Sequence, residues 1–125
     1  MSRRVLTVDD DPRNLKLVRD LLGVIGYETL TAADGREGIA VAKAERPDLI
    51  LMDMQMPVMD GFEASQCLKS DPETRDIPII ALTSLAMQGD RERIFAAGCD
   101  DCLTKPLDTR EFLRVIAARL NEGAT

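Results

Sequence analysis

Three consecutive aspartates, Asp9, Asp10 and Asp11, close the apolar run RVLTV at residues 4–8. Another, Asp53, closes LILM at 49–52; Thr83 and Ser84 follow IIAL at 79–82, and Lys105 follows DCLT at 101–104. Brought side by side, Asp9, Asp10 and Asp53 with Thr83 and Lys105 describe a site for a hard divalent cation and an anion. Mg2+ takes one or two carboxylates together with water and phosphate oxygens. A lysine and a threonine supply positive charge and a donor to the anion. The cation would also answer an electrostatic problem. Two carboxylates at about 4 Å and an effective dielectric near 20 oppose each other by roughly 4 kcal/mol. The chain has no histidine, so a Ser-His-Asp triad, a Cys-His pair and a phospho-histidine are all excluded. Chemistry is left to carboxylate, hydroxyl and ammonium groups.

Each group alone has a plainer reading. An aspartate pair after a strand is a turn or a cap, Asp53 a turn residue, Thr83 a helix cap, Lys105 a solvated edge. Asp11 before Pro12 is a helix N-cap with proline at the first helical position. Cys99 and Cys102 have C-x-x-C spacing, but Cys67 is the only other cysteine. Too few ligands remain for zinc, and free thiols are expected. What decides the matter is whether the chain brings the polar groups to one edge.

The pattern along the chain predicts that it does. Strands are expected at 4–8, 27–32, 48–53, 77–83 and 101–104. Helices are expected after Asp11-Pro12, with Leu15, Val18, Leu21, Leu22 and Ile25 at helical spacing and Gly26 as the stop, then over 34–47, 61–70 behind Asp60, and 87–98 closed by Gly98. A last helix follows DTRE at 108–111, a capping-box pattern, with Phe112, Leu113, Ile116, Ala117 and Leu120 on one face. The tail 121–125 is expected to fray. Five alternations of strand and helix give an α/β fold with a parallel sheet, right-handed crossovers and helices on both faces. Ligands of such open sheets bind beyond the carboxyl ends of the strands. If strands 1, 3, 4 and 5 are neighbours, the polar groups converge there.

Composition bounds the rest. The 125 residues are 45% apolar but only 3% aromatic, with no tryptophan, so one domain with an aliphatic core is expected over 1–125. A net charge of −6 argues against nucleic-acid or anionic membrane surfaces. No apolar run approaches the roughly 18 residues that span a bilayer, and MSRRVLTV at 1–8 is too short for a signal peptide. A soluble cytoplasmic protein is expected.

The combination VDDD at 8–11, PDLILMDMQMPVMDGFE at 47–63, IPIIALTS at 77–84 and GDRERIFAAGCDDCLTKPL at 89–107 resembles the receiver domain of two-component response regulators. Its look is that of stand-alone regulators of the cell-cycle type and of hybrid-kinase receivers. The resemblance implies a flavodoxin-like, doubly wound sheet of order 2-1-3-4-5. It implies Asp53 as phosphoacceptor, and Asp9 and Asp10 as the acidic pair on Mg2+, Asp9 largely through water. It further implies the Gln55 backbone carbonyl as a metal ligand, Thr83 as the switch hydroxyl and Lys105 as the partner of the phosphoryl group. The Lys105-Pro106 bond is expected to be cis. The implied donor is a phospho-histidine on a histidine kinase or histidine phosphotransfer protein, and a downstream protein partner reads the result. The domain would be a switch that assists only its own phosphorylation and dephosphorylation. One position departs from the pattern: Cys102 stands where the family usually has tyrosine or phenylalanine. Two other readings are an aspartyl-phosphate phosphohydrolase and a phosphate-independent interaction module. The first wants a second acid where Gln55 stands; intact Asp10, Asp53, Thr83 and Lys105 argue against the second.

Overall fold

A computed structural model describes residues 3–56, 59–84 and 88–120. The expected fraying at 121–125, residues 57–58 of the loop before Asp60, and the first residue of the helix expected at 87–98 lie outside the described residues. Five strands, β1 (Arg4–Val8), β2 (Glu28–Ala32), β3 (Leu49–Asp53), β4 (Ile79–Thr83) and β5 (Asp101–Thr104), alternate with five helices. The helices are α1 (Pro12–Val24), α2 (Gly35–Glu45), α3 (Gly61–Ser70), α4 (Gln88–Ala96) and α5 (Thr109–Leu120). All strand pairs are parallel, in the order β2-β1-β3-β4-β5. This is the flavodoxin-like order.

Every residue of β3 and β4 is buried, as a central parallel strand requires when helices cover both faces. Period-2 alternation then divides the core. Val5, Leu49, Leu51, Ile80, Leu82 and Leu103 pack with α1 and α5 through Val18, Leu22, Phe112 and Ile116. Their neighbours Leu6, Val8, Ile50, Met52, Ile79, Ala81 and Cys102 pack with the opposite layer through Ala42, Ala64, Leu68 and Ile94. With few aromatics available, aliphatic and methionine side chains fill both layers.

Aspartates start the helices. The side chains of Asp11, Asp34 and Asp60 accept from the N–H of Arg13, Glu37 and Glu63, each at 2.9 Å, satisfying N–H groups that the first turn leaves unpaired. Asp108 accepts from Glu111 N–H at 3.0 Å in the same way. Gly26 and Gly98 turn the chain with φ of +85° and +101°.

The structure corrects several boundaries: β2 starts at Glu28 rather than 27, β3 at Leu49 rather than 48, and α4 ends at Ala96 rather than 98. Ile25 caps α1 rather than packing inside it and is 38% exposed. The second helix stops at Glu45, because Arg46 enters the left-handed region with φ of 47°. Pairing of β4 begins at Ile79, not residue 77: Pro78 lacks an N–H and offers only its carbonyl, to Ile50 N–H at 3.0 Å, and Ile77 N–H is taken by Thr74 O.

One glycine matters for the site. A Cβ at Gly61 would collide with the Asp53 carbonyl oxygen and lie 2.8 Å from Met54 Cα. Only glycine lets α3 start this close to the end of β3. Both obstacles are backbone, so relief requires moving the helix or the strand end. Gly61→Ala is expected to destabilise by about 3 kcal/mol or more, beyond an ordinary overpacking effect. Urea unfolding measures it, and a midpoint equal to the parent would show that the approach is not constrained.

Candidate functional site

Register brings the acids together. The β1–β3 ladder pairs Thr7 with Leu51 and Val8 with Met52, so the next residues, Asp9 and Asp53, emerge side by side. The β3–β4 ladder pairs Asp53 with Leu82, and β4–β5 pairs Thr83 with Thr104. Thr83 therefore lies one step beyond Asp53's neighbour, and Lys105 one step beyond Thr104. Lys105 N–H extends the last ladder to Thr83 O at 2.7 Å.

Carboxylate oxygens of Asp9, Asp10 and Asp53 lie within 4.8 Å of one another. Among the described residues this is the one group of three or more acids or cysteines so placed. Asp9 and Asp53 are 1% and 2% exposed, while Asp10 faces solvent. Lys105 Nζ sits 3.2 Å from Asp53 Oδ1 and 3.6 Å from Asp9 Oδ2, so one ammonium answers two buried carboxylates. Asp9 Oδ1 accepts from Asp11 N–H at 2.9 Å. Asp9 Oδ2 is buried without a hydrogen bond among the described residues, since 3.6 Å to Lys105 is too long for one. Asp53 Oδ1 also accepts from Gln55 N–H at 3.0 Å. Thr83 is fully buried at the end of β4, and the Lys105-Pro106 peptide is cis.

Three formal negative charges against one positive leave an excess of two. The donors are all oxygen, which suits a hard cation, and the orphaned Asp9 Oδ2 is an acceptor awaiting a partner. The residues present therefore fit Mg2+. Burial is the main reason that the Asp53 carboxyl is pushed up to about 6; Asp9's charge adds to the rise, while Gln55 N–H and Lys105 oppose it.

Sequence reasoning named each of these side chains but missed two features. The Gln55 carboxamide reaches Ser84, where its Oε1 accepts from both N–H and O–H at 3.1 Å. Gly61 sets the approach of α3. The Asp60-Gly61 pair at a helix start was a visible signal for the second; nothing in the sequence signals the first. The three cysteines are free thiols. Burial pushes the Cys99 and Cys102 thiols up, away from the thiolate that metal binding or redox exchange needs.

A doubly wound sheet thus gathers acids, a buried hydroxyl and a lysine at its carboxyl edge, groups suited to a hard cation and an anion. Comparison with known proteins gives the family. The response regulator receiver domain matches residues 5–117. The chain is 43% identical over 123 residues to the polar-differentiation response regulator DivK of Brucella anthropi, covering 98% of this chain and all of that one. The Brucella ovis DivK matches to the same extent. Among solved structures, Vibrio cholerae CheY4 superposes with a TM-score of 0.90 at 34% identity, covering 96% of this chain and 100% of that one. The receiver domain of the Pseudomonas aeruginosa sensor histidine kinase PA1611, with a magnesium ion in its active site cleft, gives 0.89 at 36% identity, covering 97% and 99%. The chain belongs to the response regulator receiver family and is a two-component signalling protein.

The raised Asp53 carboxyl makes a signed prediction. Free of metal, native Asp53 keeps its proton to about 6, whereas the unfolded chain releases it near 3.8. Folding takes up a proton between those values, so this group's contribution to stability falls as pH rises through them. Asp53→Asn in chelator is expected to stabilise the protein at neutral pH by roughly 1–3 kcal/mol. The gain shrinks as pH approaches 3.8. Paired denaturant melts across that range check it; a gain independent of pH would mean that Asp53 charge is not the source.

Proposed function

We propose that Asp53 is the phosphoacceptor of a Mg2+-dependent switch charged by a phospho-histidine on a partner protein. The observation that carries this reading is the buried Asp53 carboxylate beside Asp9 with Lys105 at 3.2 Å. Asp9, Asp10, Asp53 and the Gln55 backbone carbonyl would hold the Mg2+. When bound, the cation cancels the repulsion between the Asp53 carboxylate and an incoming phosphoryl group.

The chain's own residues do the rest by position. An Asp53 carboxylate oxygen forms the new O–P bond as the donor's N–P bond breaks. The electron pair stays on the imidazole nitrogen, which takes up a proton. Transfer through a loose transition state asks mainly for alignment and charge stabilisation. Lys105 and Thr83 supply the donors to the phosphoryl oxygens. The product is 4-aspartylphosphate, and the protein assists only its own phosphorylation and dephosphorylation.

The domain so described spans 1–125, works in the cytoplasm, and takes its phosphoryl group from a histidine kinase or histidine phosphotransfer protein. A downstream protein partner reads the changed surface; neither nucleic acid nor membrane is a partner of this domain. No helix among the described residues is long and apolar enough to cross a membrane.

Two measurements test the reading. Mg2+ at a hundredfold excess over its Kd stabilises the folded state by about 2.7 kcal/mol, so the melting temperature rises by several degrees, and Asp10→Asn blunts the rise. Acetyl phosphate or a phosphorylated kinase labels the protein with a base-labile acyl phosphate that Asp53→Asn abolishes. A melting curve blind to Mg2+, or label that survives Asp53→Asn, overturns the assignment.

The Cys102 departure gives a further expectation. Cys102 is buried on β5 beside Ala81. A thiol offers fewer state-dependent contacts than a ring, and an equilibrium shifts only by the differential contacts of its states. Cys102→Tyr is expected to enlarge the ratio of partner affinities between Mg2+–beryllofluoride-bound and free protein. Equal ratios would make the missing ring irrelevant to signalling.

A further inference from the structure

Gln55 makes two kinds of contact with opposite consequences. Its main-chain N–H donates to Asp53 Oδ1 at 3.0 Å. Its side-chain Oε1 accepts from the N–H and the O–H of Ser84, both at 3.1 Å. A carboxamide oxygen has two lone pairs, so this one atom occupies both of the Ser84 donors. Gln55 lies two residues beyond Asp53 in the chain, and Ser84 one beyond Thr83. The carboxamide thus ties the loop after β3 to the segment after β4 across the mouth of the acidic site.

We propose that the Gln55 carboxamide is a latch that holds Thr83–Ser84 in the unphosphorylated arrangement, and that opening it is a step in switching. The inference rests on Asp53 as phosphoacceptor. A phosphoryl group there brings anionic oxygens to the edge where the Ser84 donors lie. A charged acceptor forms a hydrogen bond roughly twice as strong as a neutral one. The phosphoryl oxygens and Gln55 Oε1 therefore compete for the same N–H and O–H. Both Gln55 and Ser84 are exposed, so water moderates the latch. A contact of that strength delays the switch without preventing it. The latch sets how much phosphoryl-state stabilisation is left for the surface change, because each hydrogen bond gained by the phosphoryl group is one lost by Gln55.

The role belongs to the side chain. Gln55→Met keeps the N–H that serves Asp53, keeps the main-chain carbonyl and roughly keeps side-chain length, but removes the acceptor. In the free, metal-free protein the Ser84 amide proton is expected to move upfield and exchange faster in Gln55→Met than in the parent. With Mg2+ present, the same variant is expected to bind beryllofluoride about three- to tenfold more tightly, the effect of one or two modest hydrogen bonds no longer opposing the bound state. Gln55→Glu, which retains an acceptor and charges it, is expected to weaken beryllofluoride binding relative to the parent.

The two readouts separate the failures. An unchanged Ser84 amide in free Gln55→Met means that no latch exists, whatever Asp53 does. A changed Ser84 amide with equal or weaker beryllofluoride affinity means that the contact exists but does not oppose switching. A parent protein that binds no beryllofluoride overturns the phosphoacceptor reading and the switching role with it. Only a released Ser84 amide together with tighter binding sustains the proposal.

Discussion

Asp9 and Asp53 are buried neighbours of like charge with one ammonium between them, and the rest of the site is arranged around that repulsion. At an effective dielectric near 20, carboxylates separated by about 5 Å still oppose each other by roughly 3 kcal/mol. Lys105 offsets part of this, and the N–H groups of Asp11 and Gln55 add fixed donors. None of these removes the excess. The domain therefore holds a charge deficit in an otherwise aliphatic core, and a polar ligand that corrects the deficit gains free energy beyond its own contacts. Raised protonation of Asp53 and an affinity for a hard cation are two outcomes of one constraint. They would exclude each other: a proton on Asp53 would spoil it as the ligand and nucleophile proposed above, and a bound cation would drive the proton off.

Why the acids meet at all is a matter of register. Parallel pairing fixes Val8 opposite Met52, and alternation then leaves no freedom in where the next residues emerge. A one-residue slip would turn both apolar faces around, so the two hydrophobic layers hold the acids in place as firmly as any local contact. Gly61 completes this from the other side by letting α3 begin against the end of β3.

Much of this was legible in the sequence, and the reason differs from element to element. Asp11-Pro12, Asp60 and Asp108 are local signals whose chemistry acts within a few residues. Continuous apolar runs mark buried parallel strands, so β3 and the core of β4 could be read directly. The strand order rested on resemblance, because periodicity says nothing about which strands are neighbours. Val5 and Leu49 pair although they stand 44 positions apart in the chain, and no local pattern encodes that. The errors were also local: proline at 78 shortened β4, and Arg46 took a left-handed conformation that its side chain does not advertise. In the sequence Gln55 counts for its main-chain carbonyl and for not being an acid, not for its carboxamide. A glutamine in a loop carries no sign of which distant hydroxyl its carboxamide will meet, so the contact with Ser84 became visible only once the loops after β3 and β4 were placed side by side.

Cys102 and Gln55 bear on one question from opposite ends. Along β5, Cys102 belongs to the layer packed by Ile94 of α4, and a small thiol there has little to rearrange. Along the site's mouth, the proposed Gln55–Ser84 latch would be two-state, its donors either on the carboxamide or on a phosphoryl group. A switch needs differential contacts somewhere. With few available at position 102, the contact between Ser84 and Gln55 is one that the described residues offer. If Asp53 is the phosphoacceptor proposed above, the change it drives would be concentrated next to the phosphoryl group rather than relayed along the face of β5.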